Sequence, residues 1–113
     1  MAMNQQELSA AQVEKRQYRR AKLIVQVQCV ALNRESLAVT RDVSVGGMFL
    51  NERDPFPAHS IVDLSFRLKP GGVLMTCRGE VAYAIKDVGM GVMFKDLPDD
   101  VRAAIEQFVA EAS

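Results

Sequence analysis

The sequence predicts an all-β fold, mainly antiparallel, with one C-terminal amphipathic helix. Three observations lead there. Apolar residues recur with a period of two through most of the chain. Turn-forming clusters interrupt them every eight to twelve positions or so, as in antiparallel barrels and sandwiches. Only the stretch from Pro98 onward changes to a period of 3.6.

Taking the elements in order, residues 1–13 are polar and Ala/Gln-rich, and read as a mobile or weakly helical tail ahead of a single domain over 14–113. A basic patch follows, with Lys15, Arg16, Arg19, Arg20 and Lys22 in close succession. In Lys22–Leu32, Val25, Val27 and Cys29 fall on one side and Gln26 and Gln28 on the other, the mark of a half-buried strand. Asn33–Ser36 reads as a turn, after which Leu37, Val39, Arg41 and Val43 alternate again. Gly46-Gly47 punctuates before a short strand, Met48–Leu50, and Asp54-Pro55-Phe56-Pro57 must be loop because proline cannot donate to a ladder.

Ile61–Lys69 gives the clearest alternation, with Val62, Leu64, Phe66 and Leu68 facing one way. Pro70-Gly71-Gly72 supplies a tight turn, and Val73–Ile85 returns as a long strand with Val81, Tyr83 and Ile85 in register. Asp87-Val88-Gly89 breaks it before a last strand, Met90–Phe94. Pro98 stands at a first helical position, with Asp99 and Asp100 suited to the positive end of the helix dipole. Val101, Ile105, Phe108, Val109 and Ala112 then form one apolar face.

Composition narrows the function classes. The 113 residues are 49% hydrophobic and 25% charged, the balance of a folded domain. Fourteen basic residues offset fourteen acidic ones, so no overall field favours nucleic acid or an anionic membrane. Two cysteines are too few for a disulfide scaffold or a zinc ribbon. With no signal-peptide pattern over 1–14 and no apolar run of bilayer length, the expectation is a cytoplasmic domain without membrane insertion.

Two local patterns carry chemistry: Arg16-x-x-x-Arg20, and 22 residues after its second arginine Asp42-x-Ser44-x-x-Gly47. The first is expected by chance about 0.3 times in a chain of average composition, the second about 0.03 times, so their co-occurrence is the informative fact. Two guanidiniums four apart present planar forks for phosphate oxygens or a guanine O6/N7 edge. The Asp42 carboxylate complements the opposite guanine edge, with its N1–H and N2–H donors. Ser44 can add a hydroxyl contact, and Gly46-Gly47 lets backbone approach a ligand that a Cβ would block. Together they point to a guanine nucleotide at a strand end.

These residues carry a family resemblance. Glu14-Lys15-Arg16-Gln17-Tyr18-Arg19-Arg20, then Asp42-Val43-Ser44-Val45-Gly46-Gly47-Met48-Phe49-Leu50, resemble the PilZ domain. Gly79-Glu80-Val81-Ala82-Tyr83 and Gly89-Met90-Gly91-Val92-Met93-Phe94 are similar to that family's later strands. Lys15 stands where many members have a further arginine, and Tyr83 where many have tryptophan. The resemblance implies a six-stranded antiparallel β-barrel with a C-terminal α-helix that binds the bacterial second messenger cyclic di-GMP. It implies that Arg16 and Arg20, flanked by Lys15 and Arg19, contact guanine and phosphate from the N-terminal segment. It further implies that Asp42, Ser44 and Gly47, with Gly46 in the same ligand site, hold the guanine edge. The implied role is a non-catalytic receptor in motility or biofilm regulation. Its arginine segment orders over the ligand and signals to a protein partner of unspecified identity. The alternative is an adaptor of the same fold that binds no nucleotide.

Other chemistry is poorly supported. A Ser44/His59 hydrolase would need G-x-S-x-G, and Asp42 occupies the first glycine's place. Gly89-x-Gly91 has no helix after it to complete a dinucleotide fingerprint. Cys29 and Cys77 read as core thiols, and Met48, Met75, Met90 and Met93 as packing. No cofactor or metal is expected.

Overall fold

A computed structural model describes residues 19–112. The expectations placed on residues 1–18, including the tail over 1–13 and the roles of Lys15 and Arg16, lie outside the described residues. The strands are β1 (Ala21–Lys22), β2 (Gln26–Ala31), β3 (Arg34–Ser44), β4 (Gly47–Asn51), β5 (Ile61–Phe66), β6 (Met75–Ile85) and β7 (Gly89–Lys95), followed by helix α1 (Asp99–Glu111). All neighbouring strands are antiparallel, in the order β3-β2-β5-β6-β7-β4, and β4 pairs back to β3. Six strands thus close into a barrel, which removes the exposed edges of an open sheet. The two-residue β1 adds to the end of β3.

Inward residues alternate as a pleated strand requires. Val27 and Cys29, then Val62, Leu64 and Phe66, then Val81, Met90 and Leu50 are buried together. Helix α1 packs Val101, Ile105 and Val109 over one end, against β3 and β6. Phe108 is half-buried and Ala112 exposed, so the helix's apolar face is narrower than its sequence period implies. Pro98 precedes the helix as its N-cap, and Asp99 and Asp100 occupy the first turn.

Three expectations shift in detail. The β2–β3 turn is Leu32-Asn33, both with positive φ (53° and 59°), as a two-residue hairpin of type I′ demands. With so short a turn, Arg34–Ser36 belong to β3, paired with Ala31, Val30 and Cys29; Arg34 Nη1 donates to Asp54 Oδ2 at 2.8 Å, and the Ser36 hydroxyl donates to Glu52. Asp54–Pro57 is loop, as expected; within it Phe56 is 1% exposed, and the Arg34 guanidinium lies 4.0 Å from its ring centroid. Met93 is exposed rather than packed inside.

The largest correction concerns which side of two strands faces inward. In β3, Leu37 is 66% exposed while Ala38 and Thr40 are buried, the reverse of the expected face. A bulge at Arg41 slips the register against β4, which returns Val43 to the interior. A second slip, between Val81 and Tyr83 in β6, leaves Tyr83 and Ile85 outside.

Burying Thr40 has a structural return. Its hydroxyl donates to the Leu23 carbonyl at 2.5 Å and accepts the Val25 N–H at 2.9 Å. Thr40 N–H also donates to the Val25 carbonyl at 2.9 Å, and Leu23 N–H to the Arg41 carbonyl at 3.2 Å. The backbone groups of Leu23 and Val25, in the stretch that interrupts the run from β1 to β2, are therefore bonded to Thr40 and Arg41. This interruption sets the position of β1, and β1 sets the position of Arg20.

Candidate functional site

Residues at the end of β3, the tight turn after it and the start of β1 form the site. The register pairs Ala21 with Val43 and Lys22 with Asp42, so Arg20 enters beside the Asp42 side chain. Arg20 Nε donates to Asp42 Oδ1 at 3.0 Å and Nη2 donates to the same oxygen at 2.5 Å. Both partners are partly exposed, at 39% and 27% of their side chains. Such a pair adds only about 0.2–1 kcal/mol to stability. Its value is positional, since both bonds land on Oδ1 and leave Asp42 Oδ2 uncommitted to Arg20. Arg19 and Lys22 are exposed on either side.

The Ser44–Gly47 turn is built from its own hydrogen bonds. Ser44 is 1% exposed, and its hydroxyl accepts the Gly46 N–H at 3.1 Å and donates toward the Gly47 carbonyl at 3.4 Å. The Gly46 carbonyl accepts Phe94 N–H at 2.9 Å, tying the turn to β7. Gly47 pairs with Ser44 across the hairpin and with Met93 on the other side. The close approach that Gly47 permits in the structure is that of β7: a Cβ there would sit 2.0 Å from the Val92 carbonyl oxygen. Of the expected site residues, the structure thus brings together Arg20, Asp42, Ser44, Gly46 and Gly47, with Arg19 adjoining. Arg16 and Lys15 lie outside the described residues.

One feature of the site escaped the sequence reading. Because of the bulge, Arg41 and Asp42 together face a single β4 residue, Phe49. The Arg41 guanidinium stacks 4.1 Å from the Phe49 ring centroid, and Phe49 in turn lies 6.3 Å from the Tyr83 ring. Asp42, Phe49, Gly91 and Tyr83 form one row across β3, β4, β7 and β6. Only the unpaired position of the bulge, invisible in the residue types, could have signalled this.

The remaining chemical groups lie apart. His59 is exposed, with Nδ1 3.5 Å from Glu80 Oε2, while Ser44 is committed to its own turn. No group of three or more His, Cys, Asp or Glu among the described residues is arranged to hold a metal. Cys29 and Cys77 are buried and each pairs with Leu64, which separates them by two strand spacings, about 10 Å. That is too far for a disulfide.

Burial pushes the Cys29 thiol up to about 12, with Glu52 adding to the rise and Arg34 opposing it; burial alone pushes Cys77 up to about 11. In the unfolded chain both ionise near 9.0. The stability this burial preserves is therefore complete below pH 9 and falls as pH rises from there through 11 and 12. At pH 8 a thiol reagent such as Ellman's should leave both cysteines intact in the folded protein and titrate both in denaturant. Rapid labelling of the native state would contradict the packing described.

Comparison with known proteins bears on the family and the fold. The family model of the PilZ domain matches residues 14–111. A sequence comparison with curated proteins finds no match. Among solved structures, the inhibitor of motility MotI/DgrA of Bacillus subtilis superposes with a TM-score of 0.74 at 18% identity, covering 84% of this chain and 49% of that one. This chain therefore spans about half the length of that protein. The PilZ domain of YcgR from Escherichia coli, solved with c-di-GMP, gives 0.69 at 12% identity, covering 87% and 91%. PlzA of Borreliella burgdorferi, solved in complex with c-di-GMP, gives 0.61 at 13% identity, covering 91% and 45%. At these identities the superpositions speak to the fold, a barrel with a C-terminal helix. The family assignment rests on the match along nearly the whole sequence: the chain belongs to the PilZ domain family.

Proposed function

We propose that the chain is a non-catalytic receptor domain for cyclic di-GMP. The observation that carries this reading is the placement of Arg20 on Asp42, at the mouth of the Ser44–Gly47 turn. A carboxylate with one uncommitted oxygen suits the N1–H and N2–H donors of guanine. The guanidiniums of Arg16 and Arg20 suit its O6/N7 edge and the phosphates. Ser44, Gly46 and Gly47 hold the turn in shape, and Lys15 and Arg19 add positive charge for a doubly charged ligand. Family membership and two neighbours solved with c-di-GMP support the same ligand.

Ligand binding extends the contact that Arg20 and β1 already make with the barrel to residues 14–18, and the altered surface is what a partner protein reads. Ordering that segment costs conformational entropy, so affinity is lower than the contacts alone would give. No helix among the described residues is long and apolar enough to cross a membrane. The second reading, an adaptor that binds no nucleotide, draws on the partners that the Arg20 guanidinium and the Ser44 hydroxyl already have without a ligand.

Calorimetric titration with cyclic di-GMP, with GTP and cyclic di-AMP as controls, tests the two readings. Saturable heat for cyclic di-GMP alone, with amide shifts at Arg20 and Gly47, is the expected result. Absence of heat and of shifts would overturn the receptor reading and leave the adaptor.

A further inference from the structure

Beside the pair already described, β3 presents a third guanidinium whose position is determined before any ligand arrives. The bulge sets Arg41 and Asp42 side by side over Phe49. Phe49 is only 5% exposed and is supported from behind, because Gly91 has no Cβ to keep the Tyr83 ring off the sheet: a Cβ there would lie 2.4 Å from Tyr83 Cε1. On this aromatic support the Arg41 guanidinium rests at 4.1 Å. A long side chain normally loses rotamer freedom when it engages a ligand, and stacking on a buried ring meets much of that cost in advance.

Charge and donor accounting separate Arg41 from Arg20. The Nε and Nη2 donors of Arg20 are committed to Asp42, and the two formal charges cancel. Arg41 shows a different pattern: among the described residues its guanidinium contacts the face of Phe49 and pairs with no acid. One planar face is therefore covered by a ring, while Arg41 as a whole is exposed and adjoins Asp42 along the strand.

We propose that Arg41 is a further ligand-contacting residue, whose outer face stacks on the guanine base that Asp42 holds by its edge. The inference rests on the reading of the site as a cyclic di-GMP site. It adds a base-stacking position made of Arg41 on Phe49, in which shape recognition by the arginine plane complements edge recognition by Asp42. Lysine at this position would retain the charge but not the plane.

The test titrates cyclic di-GMP into the wild-type chain, Arg41→Ala and Arg41→Lys by calorimetry, with thermal unfolding of each. Arg41→Ala is expected to weaken binding by about 5- to 30-fold, and Arg41→Lys to weaken it to a similar extent. Melting temperatures should stay close to wild type. If Arg41→Ala binds like the wild type, the position is not part of the site and the inference fails. If Arg41→Lys keeps full affinity while Arg41→Ala loses it, the contact is a point charge on phosphate and stacking is refuted. A wild-type chain without affinity for cyclic di-GMP removes the parent reading, and this one with it.

Discussion

Gly47→Ala is expected to destabilise the barrel severely, with any loss of ligand binding a consequence of that. An alanine Cβ would lie 2.0 Å from the Val92 carbonyl oxygen and 3.1 Å from Met93 Cα, both backbone atoms that no rotamer change can move aside. Relief requires β4 to separate from β7, at the place where Gly47 pairs with Met93 and the Gly46 carbonyl accepts Phe94 N–H. The cost lies at the upper end of overpacking, about 3 kcal/mol, a large share of the roughly 5–15 kcal/mol that stabilises an ordinary domain. For a domain of this size that lowers the melting temperature by roughly 10–20 °C. Chemical denaturation and calorimetric melting measure it. A variant that melts like the wild type would show that the barrel wall at Gly47 is looser than the close contact implies. The same experiment reinterprets a motif glycine, since its lack of a side chain serves the packing of two strands whether or not a ligand approaches.

That distinction illustrates what was legible in the sequence. The alternation of Val62, Leu64 and Phe66 was readable because β5 runs without interruption, so a period of two maps directly onto two faces. Helix α1 was readable for the corresponding reason: Val101, Ile105 and Val109 repeat at helical spacing after a proline and two aspartates. In β3 and β6 the same rule gave the wrong face, because one extra residue at Arg41 and one at Ala82 invert every assignment on one side of the bulge. Nothing in the residue types marks a bulge. Thr40 shows why the inversion is tolerated: a polar side chain can take an interior position once Leu23 and Val25 satisfy its hydroxyl. The site was legible as a motif, through the rarity of Asp42-x-Ser44-x-x-Gly47 and its partnership with the arginines. Its geometry was not, because Arg20 meets Asp42 through strand pairing 22 residues away. The Arg41–Phe49 stack depends on the bulge itself.

Arg20→Ala and Asp42→Ala are expected to show the opposite signature to Gly47→Ala, losing affinity while keeping the fold. Each removes a charged hydrogen-bonding group worth about 1.5–3 kcal/mol to a bound ligand, so cyclic di-GMP affinity should fall roughly 10- to 150-fold. Stability should change little, because a partly exposed ion pair contributes at most about 1 kcal/mol. The two residues are bonded to each other, so their effects should not add. Asp42→Ala also releases Arg20 from the position its two bonds define, and the double variant should lose less than the sum of the two single losses. Calorimetry on the four proteins of this cycle, with a melt for each, separates the possibilities. Strictly additive losses would mean that Arg20 and Asp42 reach the ligand independently and that their contact in the free protein does not prepare the site. Unchanged affinity in both single variants would move the ligand elsewhere on the barrel, however well the motif matches. Reduced affinity accompanied by a lowered melting temperature would assign the pair to holding β1 on β3, a role in folding rather than in recognition.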